Sequence, residues 1–112
     1  MKRGEIYLVA RPQGGDPRRS RPYVLVARQE VLDSRFSTVV CAPVYSSHDE
    51  IESQVLIGEE HGLKHQSSVH CDNLVSLPKR ALTNFVGQLS AEKLRELDRT
   101  LAIALGIDHL LA

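Results

Sequence analysis

Thr38-Val39-Val40-Cys41-Ala42-Pro43-Val44 is the most apolar run of the chain. Its length and β-branched content predict a central strand and not a helix. Outward from it the texture repeats: short β-type runs separated by turn signals, the pattern of a small barrel or sandwich. Upstream, Glu5–Val9 and Tyr23–Ala27 read as strands. Arg11-Pro12-Gln13-Gly14-Gly15-Asp16-Pro17 lies between them, where Pro and Gly exclude regular structure. Downstream, Gln54–Ile57 alternates like a half-buried strand and Ser67–Leu74 continues the pattern. Phe85–Leu89 reads as a last short strand. Residues 46–53, 58–66 and 11–21 read as loops.

The end of the chain changes period. Ser90 is a good N-cap, and Glu92 sits in the first turn, where the helix dipole favours an anion. Leu94, Leu97, Leu101, Ala104 and Leu105 recur at helical spacing, and Gly106 stands where a helix would stop. The expected fold is therefore mainly β, five to seven strands closed by a C-terminal helix. The 112 residues suit one domain, spanning 1–112.

Hydrophobic residues make up 42% and charged residues 25% of the chain, ordinary values for a water-soluble domain. No run approaches the roughly 18 apolar residues of a membrane span. The opening Met1-Lys2-Arg3-Gly4-Glu5 leads into too few apolar residues for a signal peptide, which predicts a reducing, cytoplasmic setting. Cys41 and Cys71 lie inside apolar runs and read as small core hydrophobes. The net charge of +0 conceals an asymmetry. Residues 1–40 hold eight cations, seven of them arginine, against four anions, whereas residues 41–80 hold three against six. Such a segment either binds a polyanion or forms an ordinary mixed surface.

Three places carry chemistry. Arg18-Arg19-Ser20-Arg21-Pro22 offers fixed positive charge at a loop–strand junction, as phosphodiester chemistry requires. Arg21 is the best placed, because Pro22 stiffens its backbone, although pairing with Asp16 is open to these arginines too. Tyr45-Ser46-Ser47-His48 follows the central strand, and its hydroxyls can contact phosphate or sugar or simply form a turn. His70-Cys71-Asp72, read as strand, sets an imidazole and a carboxylate on one face. That pair suits general acid–base work or a structural hydrogen bond. No Cys-x-x-Cys or His-Glu-x-x-His occurs, and His61 and His65 flank a glycine with no helix signalled, so neither metal nor cofactor is expected.

The order of these segments resembles the MazF/PemK family of toxin endoribonucleases. Arg3-Gly4-Glu5-Ile6-Tyr7-Leu8-Val9 is similar to its opening strand and Arg21-Pro22-Tyr23-Val24-Leu25-Val26 to its Arg-Pro strand. Thr38–Val44 resembles its third strand, Ser67–Leu74 its Asp-Ser-Val segment, and Val86-Gly87-Gln88-Leu89-Ser90 its closing Gly-x-Leu-Ser before the helix. The resemblance implies an SH3-like barrel, a homodimer and RNA bound in a groove shared by both protomers. It also implies metal-independent cleavage of single-stranded RNA at a short preferred sequence, and an antitoxin partner lying across that groove. Arg21 matches the family's catalytic arginine, and Asp72 an acidic residue used by some members. Two positions depart: Tyr45 falls where the usual Thr stands, and His70 where some members carry arginine. The resemblance implies Arg21 and Asp72 as catalytic residues; the reading of the residues adds His70 as a catalytic group and Arg18, Arg19, Tyr45, Ser46 and Ser47 as substrate-binding residues. An inactive module, or a gyrase-targeting toxin of the related CcdB type, is the alternative.

Overall fold

In the computed structural model, which describes residues 1–10 and 20–111, seven strands form one antiparallel sheet. They are β1 (Glu5–Ala10), β2 (Ser20–Leu25), β3 (Thr38–Tyr45), β4 (Gln54–Ile57), β5 (Ser67–His70), β6 (Val75–Pro78) and β7 (Asn84–Gln88). A short helix α1 (Gln29–Leu32) follows β2, and the long helix α2 (Ala91–Ala104) follows β7. The strand order is β4-β5-β3-β2-β1-β7, with β6 also on β3.

The run that opened the reading is the centre of the sheet. β3 pairs with β2 along one edge and with β6 and then β5 along the other. Its side chains alternate between two cores. Val39 and Cys41 join Tyr7, Val9, Leu25 and Leu77 on one face; Ala42 and Val44 join Ile6, Val24, Val55 and Val69 on the other. Over Cys41–Val44 both faces are buried, which explains why this half of β3 is continuously apolar; in the first half Thr38 and Val40 are exposed.

The second core is closed by α2. Leu97 is fully buried in it, and Leu94, Leu101 and Ala104 pack against its rim. Ser90 caps the helix by accepting the Lys93 N–H at 3.1 Å. Arg3 Nη1 ties its outer face to the N-terminal segment through Asp98 at 2.7 Å. Gly106 takes a φ of +73°, ending the helix where expected. Leu105 is exposed and belongs to the cap instead of the apolar stripe.

Three expectations need correction. The segment 67–74 is not one strand: β5 stops at His70 and Cys71–Asn73 form a 3-10 turn before β6. Val44 pairs with Val69 and Cys41 with Val75, so three residues of β3 face six of this chain. The turn absorbs the three extra residues and lets β5 leave the plane of β6, which curls the sheet. Strand β6 was absent from the sequence reading for the same reason. Finally, β2 begins at Ser20, so Ser20 and Arg21 are strand residues and not loop.

The curl brings the two ends of the sheet together. The 3-10 turn Glu59–His61, which follows β4, and Gly62 lie against β7 at Val86 and Gly87. Gly62 has φ +95°, and a Cβ on either Gly62 or Gly87 would overlap the backbone opposite. Between Ile6↔Gly87 and Tyr7↔Phe85 the β1–β7 register shifts, leaving Val86 as a bulge whose carbonyl faces Gly62. The result is a half-barrel with a C-terminal helix. Both cysteines are buried and free, as their apolar contexts predicted. Burial pushes each thiol up to about 12, Cys71 with a further rise from the neighbouring Asp72 charge.

Candidate active site

A cleft of 590 Å³ opens between the start of β2, the end of β3, the segment 62–67 and β7. Two prolines shape it. The β2–β3 ladder runs from Leu25↔Cys41 to Tyr23↔Pro43 and ends there. Continuing that register would set Val44 opposite Pro22, which has no N–H to give. The Val44 carbonyl instead accepts from Arg21 Nη1 at 3.3 Å. The strands part beyond this point, and the guanidinium stands at the mouth of the gap.

Arg21 has a second support. Its Cζ lies 4.0 Å from the centroid of the Tyr45 ring, a cation–π contact. The same ring packs against His70, with centroids 4.4 Å apart and planes inclined at 53°. His70 Nε2 is 3.4 Å from the Ser47 carbonyl, which also accepts the Ser68 hydroxyl at 3.0 Å. A carbonyl only accepts, so Nε2 carries the proton in the neutral ring and Nδ1 keeps its lone pair. The Tyr45 ring thus touches both Arg21 and His70. All three are half-buried.

Among the described residues the cleft is lined by Arg21, Lys64 and His65 and by no Asp or Glu. Ser46 lines it too, while Ser47 contributes its carbonyl to the site. Lys64 and His65 were missed from sequence because they sit in a stretch that reads only as polar loop. Gly62 next to them, docked on β7, is what turns that loop over the cleft. Arg18 and Arg19 lie outside the described residues.

His70 and Asp72 do not share a strand face. The 3-10 turn at Cys71–Asn73 carries Asp72 away, and among the described residues no hydrogen bond or ion pair joins the two. Asp72 instead accepts the Ser53 hydroxyl at 2.5 Å, while the Ser53 carbonyl takes the Cys71 N–H at 3.0 Å. This double tie holds Ser53 against the Cys71–Asn73 turn that follows His70. Among the described residues, no three His, Cys, Asp or Glu side chains gather as a metal ion would need. No helix of the described residues is long and apolar enough to cross a membrane.

Comparison with known families fits this geometry. The model of the PemK-like, MazF-like toxin of type II toxin-antitoxin systems matches residues 2–105. The chain belongs to this family. Among curated MazF relatives, the probable endoribonuclease MazF2 of Mycobacterium tuberculosis is 30% identical, over 95% of this chain and 99% of its own length. The fold is that of the Mycobacterium tuberculosis toxin MazF-mt6, with a TM-score of 0.80 and 23% identity, over 93% of this chain and 98% of that one. A mycobacterial endoribonuclease solved in complex with its cognate antitoxin also superposes at a TM-score of 0.80, with 23% identity and 94% of each chain covered. The MazF-like half-barrel and its C-terminal helix are thus the architecture the sequence led us to expect.

Proposed function

We propose that this MazF-family protein is an endoribonuclease that cuts single-stranded RNA at a preferred sequence, without a metal, leaving a 2′,3′-cyclic phosphate and a 5′-OH. The observation that carries the reading is the Arg21 guanidinium, held by Val44 and the Tyr45 ring at the mouth of a cleft whose described lining includes Lys64 and His65 and no carboxylate. A polyanion is drawn into such a cleft, and Arg stays charged at every working pH. The names of the relatives support the same activity.

The reaction needs no group beyond the chain and the RNA. The substrate's 2′-oxygen attacks the adjacent phosphorus; the P–O2′ bond forms as the P–O5′ bond breaks. Dependence on the 2′-OH makes RNA, and not DNA, the substrate. The His70 Nδ1 lone pair accepts the 2′ proton, since Nε2–H is engaged by Ser47. Arg21 stabilises the charge that gathers on the non-bridging oxygens. A proton passes to the leaving 5′-oxygen, from Arg21 or from solvent held in the cleft. Ser46 and Ser47 contact the sugar–phosphate backbone beside Tyr45, and Lys64 and His65 extend the phosphate track. Arg18 and Arg19, immediately upstream of Ser20, add to it. Asp72, through Ser53, holds the turn that follows His70.

The protein works in the cytoplasm as a homodimer, a single toxin domain per chain, and a cognate antitoxin silences it by covering the cleft. The test is to incubate the purified protein with long single-stranded RNA in EDTA, beside Arg21→Ala. The wild type cuts, and Arg21→Ala loses about 10²–10³-fold in turnover, the usual cost of one transition-state charge donor. The new 5′ ends accept phosphate from a kinase without prior dephosphorylation. Products with 3′-OH ends, or activity abolished by EDTA, would overturn the mechanism. Sedimentation as a monomer at micromolar concentration would overturn the dimer.

A further inference from the structure

We propose that Tyr45 is a positioning residue that acts through its ring, holding the Arg21 guanidinium at the mouth of the cleft and the His70 imidazole beside that ring. The role rests on the reading of Arg21 as the phosphate-stabilising group.

The contacts are to the ring and not to the phenol oxygen. The guanidinium carbon stands 4.0 Å from the ring centroid, and the imidazole centroid 4.4 Å from it. Without the ring, Arg21 keeps one described hydrogen bond, 3.3 Å to the Val44 carbonyl. A single bond from one guanidinium nitrogen leaves the plane free to rotate about it; a ring beneath the plane fixes the remaining angle. His70 stands in a similar position: among the described residues its side chain makes one polar contact, 3.4 Å to the Ser47 carbonyl, besides the ring. One aromatic side chain therefore restrains both groups. It does so at the place where the prolines have already withdrawn the backbone ladder. Tyr45 itself is held by its place in β3, where it pairs with Ser68 of β5.

A positioning role differs sharply from a hydroxyl role in what each substitution leaves behind. Tyr45→Phe keeps the ring and loses the hydroxyl, Tyr45→Thr keeps a hydroxyl and loses the ring, and Tyr45→Leu loses both. In single-turnover cleavage of a single-stranded RNA oligonucleotide, Tyr45→Leu and Tyr45→Thr lose about 10- to 100-fold in kcat, the scale of an ångström-level misplacement. Their KM moves by less than about threefold, and Tyr45→Phe turns over at least about tenfold faster than either. In parallel, NMR of the free protein reads the geometry without substrate. The Arg21 side-chain resonances are displaced upfield by the ring in wild type and Tyr45→Phe, and the displacement disappears in Tyr45→Leu and Tyr45→Thr. Tyr45 is half-buried at a strand end, so these variants keep the fold, which their thermal melts verify.

Tyr45→Phe as slow as Tyr45→Leu would overturn the proposal, as would Tyr45→Thr as fast as wild type or a loss confined to KM. An Arg21 spectrum identical in wild type and Tyr45→Leu would overturn it even where RNA is cut. A wild type that shows the displaced resonances yet cuts no RNA sinks the nuclease reading while the ring's hold on Arg21 stands.

Discussion

Gly62 is where the curl of the sheet and the shape of the cleft depend on one missing side chain, and Gly62→Ala measures that dependence. Two costs add. The first is conformational: with φ at +95°, an L-residue pays roughly 1–2 kcal/mol to occupy the left-handed side of the map. The second is steric. An added Cβ overlaps the Val86 carbonyl oxygen and comes within 3.2 Å of Gly87 Cα. Both neighbours are backbone of β7, so no rotamer change relieves the overlap; overpacking of this kind costs about 1–3 kcal/mol. Together they give about 3 kcal/mol, which at roughly 4 °C per kcal/mol for a domain of this size lowers the melting temperature by about 12 °C. Gly106→Ala is the internal control. Gly106 has φ +73° but nothing within 4 Å of its Cβ position, so only the first cost applies, about 5 °C. Thermal and urea unfolding followed by circular dichroism read both variants. If Gly62→Ala melts within about 2 °C of Gly106→Ala, the contact of segment 62–65 with β7 does not hold the half-barrel shut.

Leu97 is fully buried between α2 and the sheet, so Leu97→Ala costs about 3–4 kcal/mol in urea unfolding; a loss under about 1 kcal/mol would show that the helix does not close this core. Ser90→Ala removes the acceptor of the Lys93 N–H and costs about 1 kcal/mol, with the unfolding slope unchanged. Cys41 and Cys71 have folded-state pKa values of about 12 against 9.0 for a free thiol. A folded pKa above the unfolded one means full stability below pH 9 and loss as pH rises toward 12, at up to about 1.4 kcal/mol per pH unit for each thiol. Tyr7, also raised by burial and by the Glu5 charge, adds the same sign at higher pH. Urea unfolding at pH 8 and pH 10 checks this: the Cys41→Ala, Cys71→Ala double variant loses less than wild type between the two, and equal losses would refute it.

How much of the site was legible depended on whether its geometry was local. Arg21 beside Pro22 was legible, because a proline acts on its own neighbours: it fixes φ and removes an N–H from the ladder. Tyr45 was legible as a residue at a strand exit, but its ring contacts with Arg21 and His70 join three separate strands. His70 and Asp72 were misjudged together. Alternation places i and i+2 on one face only while the chain stays extended, and Cys71 begins a 3-10 turn instead. Asp72-Asn73 are turn formers, but the His-x-Asp alternation read through them hid the turn. It follows from the three-residue excess over β3, which only the pairing reveals. Lys64 and His65 were invisible for a similar reason: their loop is polar everywhere, and its position is decided by Gly62 meeting Val86.

By itself, then, the sequence determined the positions of six of the seven strands, the capped C-terminal helix, the apolar centre at Thr38–Val44 and the candidate arginine. These depend on period, capping and turn chemistry within a few residues. The tertiary structure alone decided that β5 and β6 are two strands, that the sheet curls until segment 62–65 meets β7, and that Arg21 and His70 both meet the Tyr45 ring beside a cleft whose described lining has no carboxylate. Those outcomes come from register and close packing between residues distant in the chain, where a bulge or a missing Cβ changes which side chains can meet.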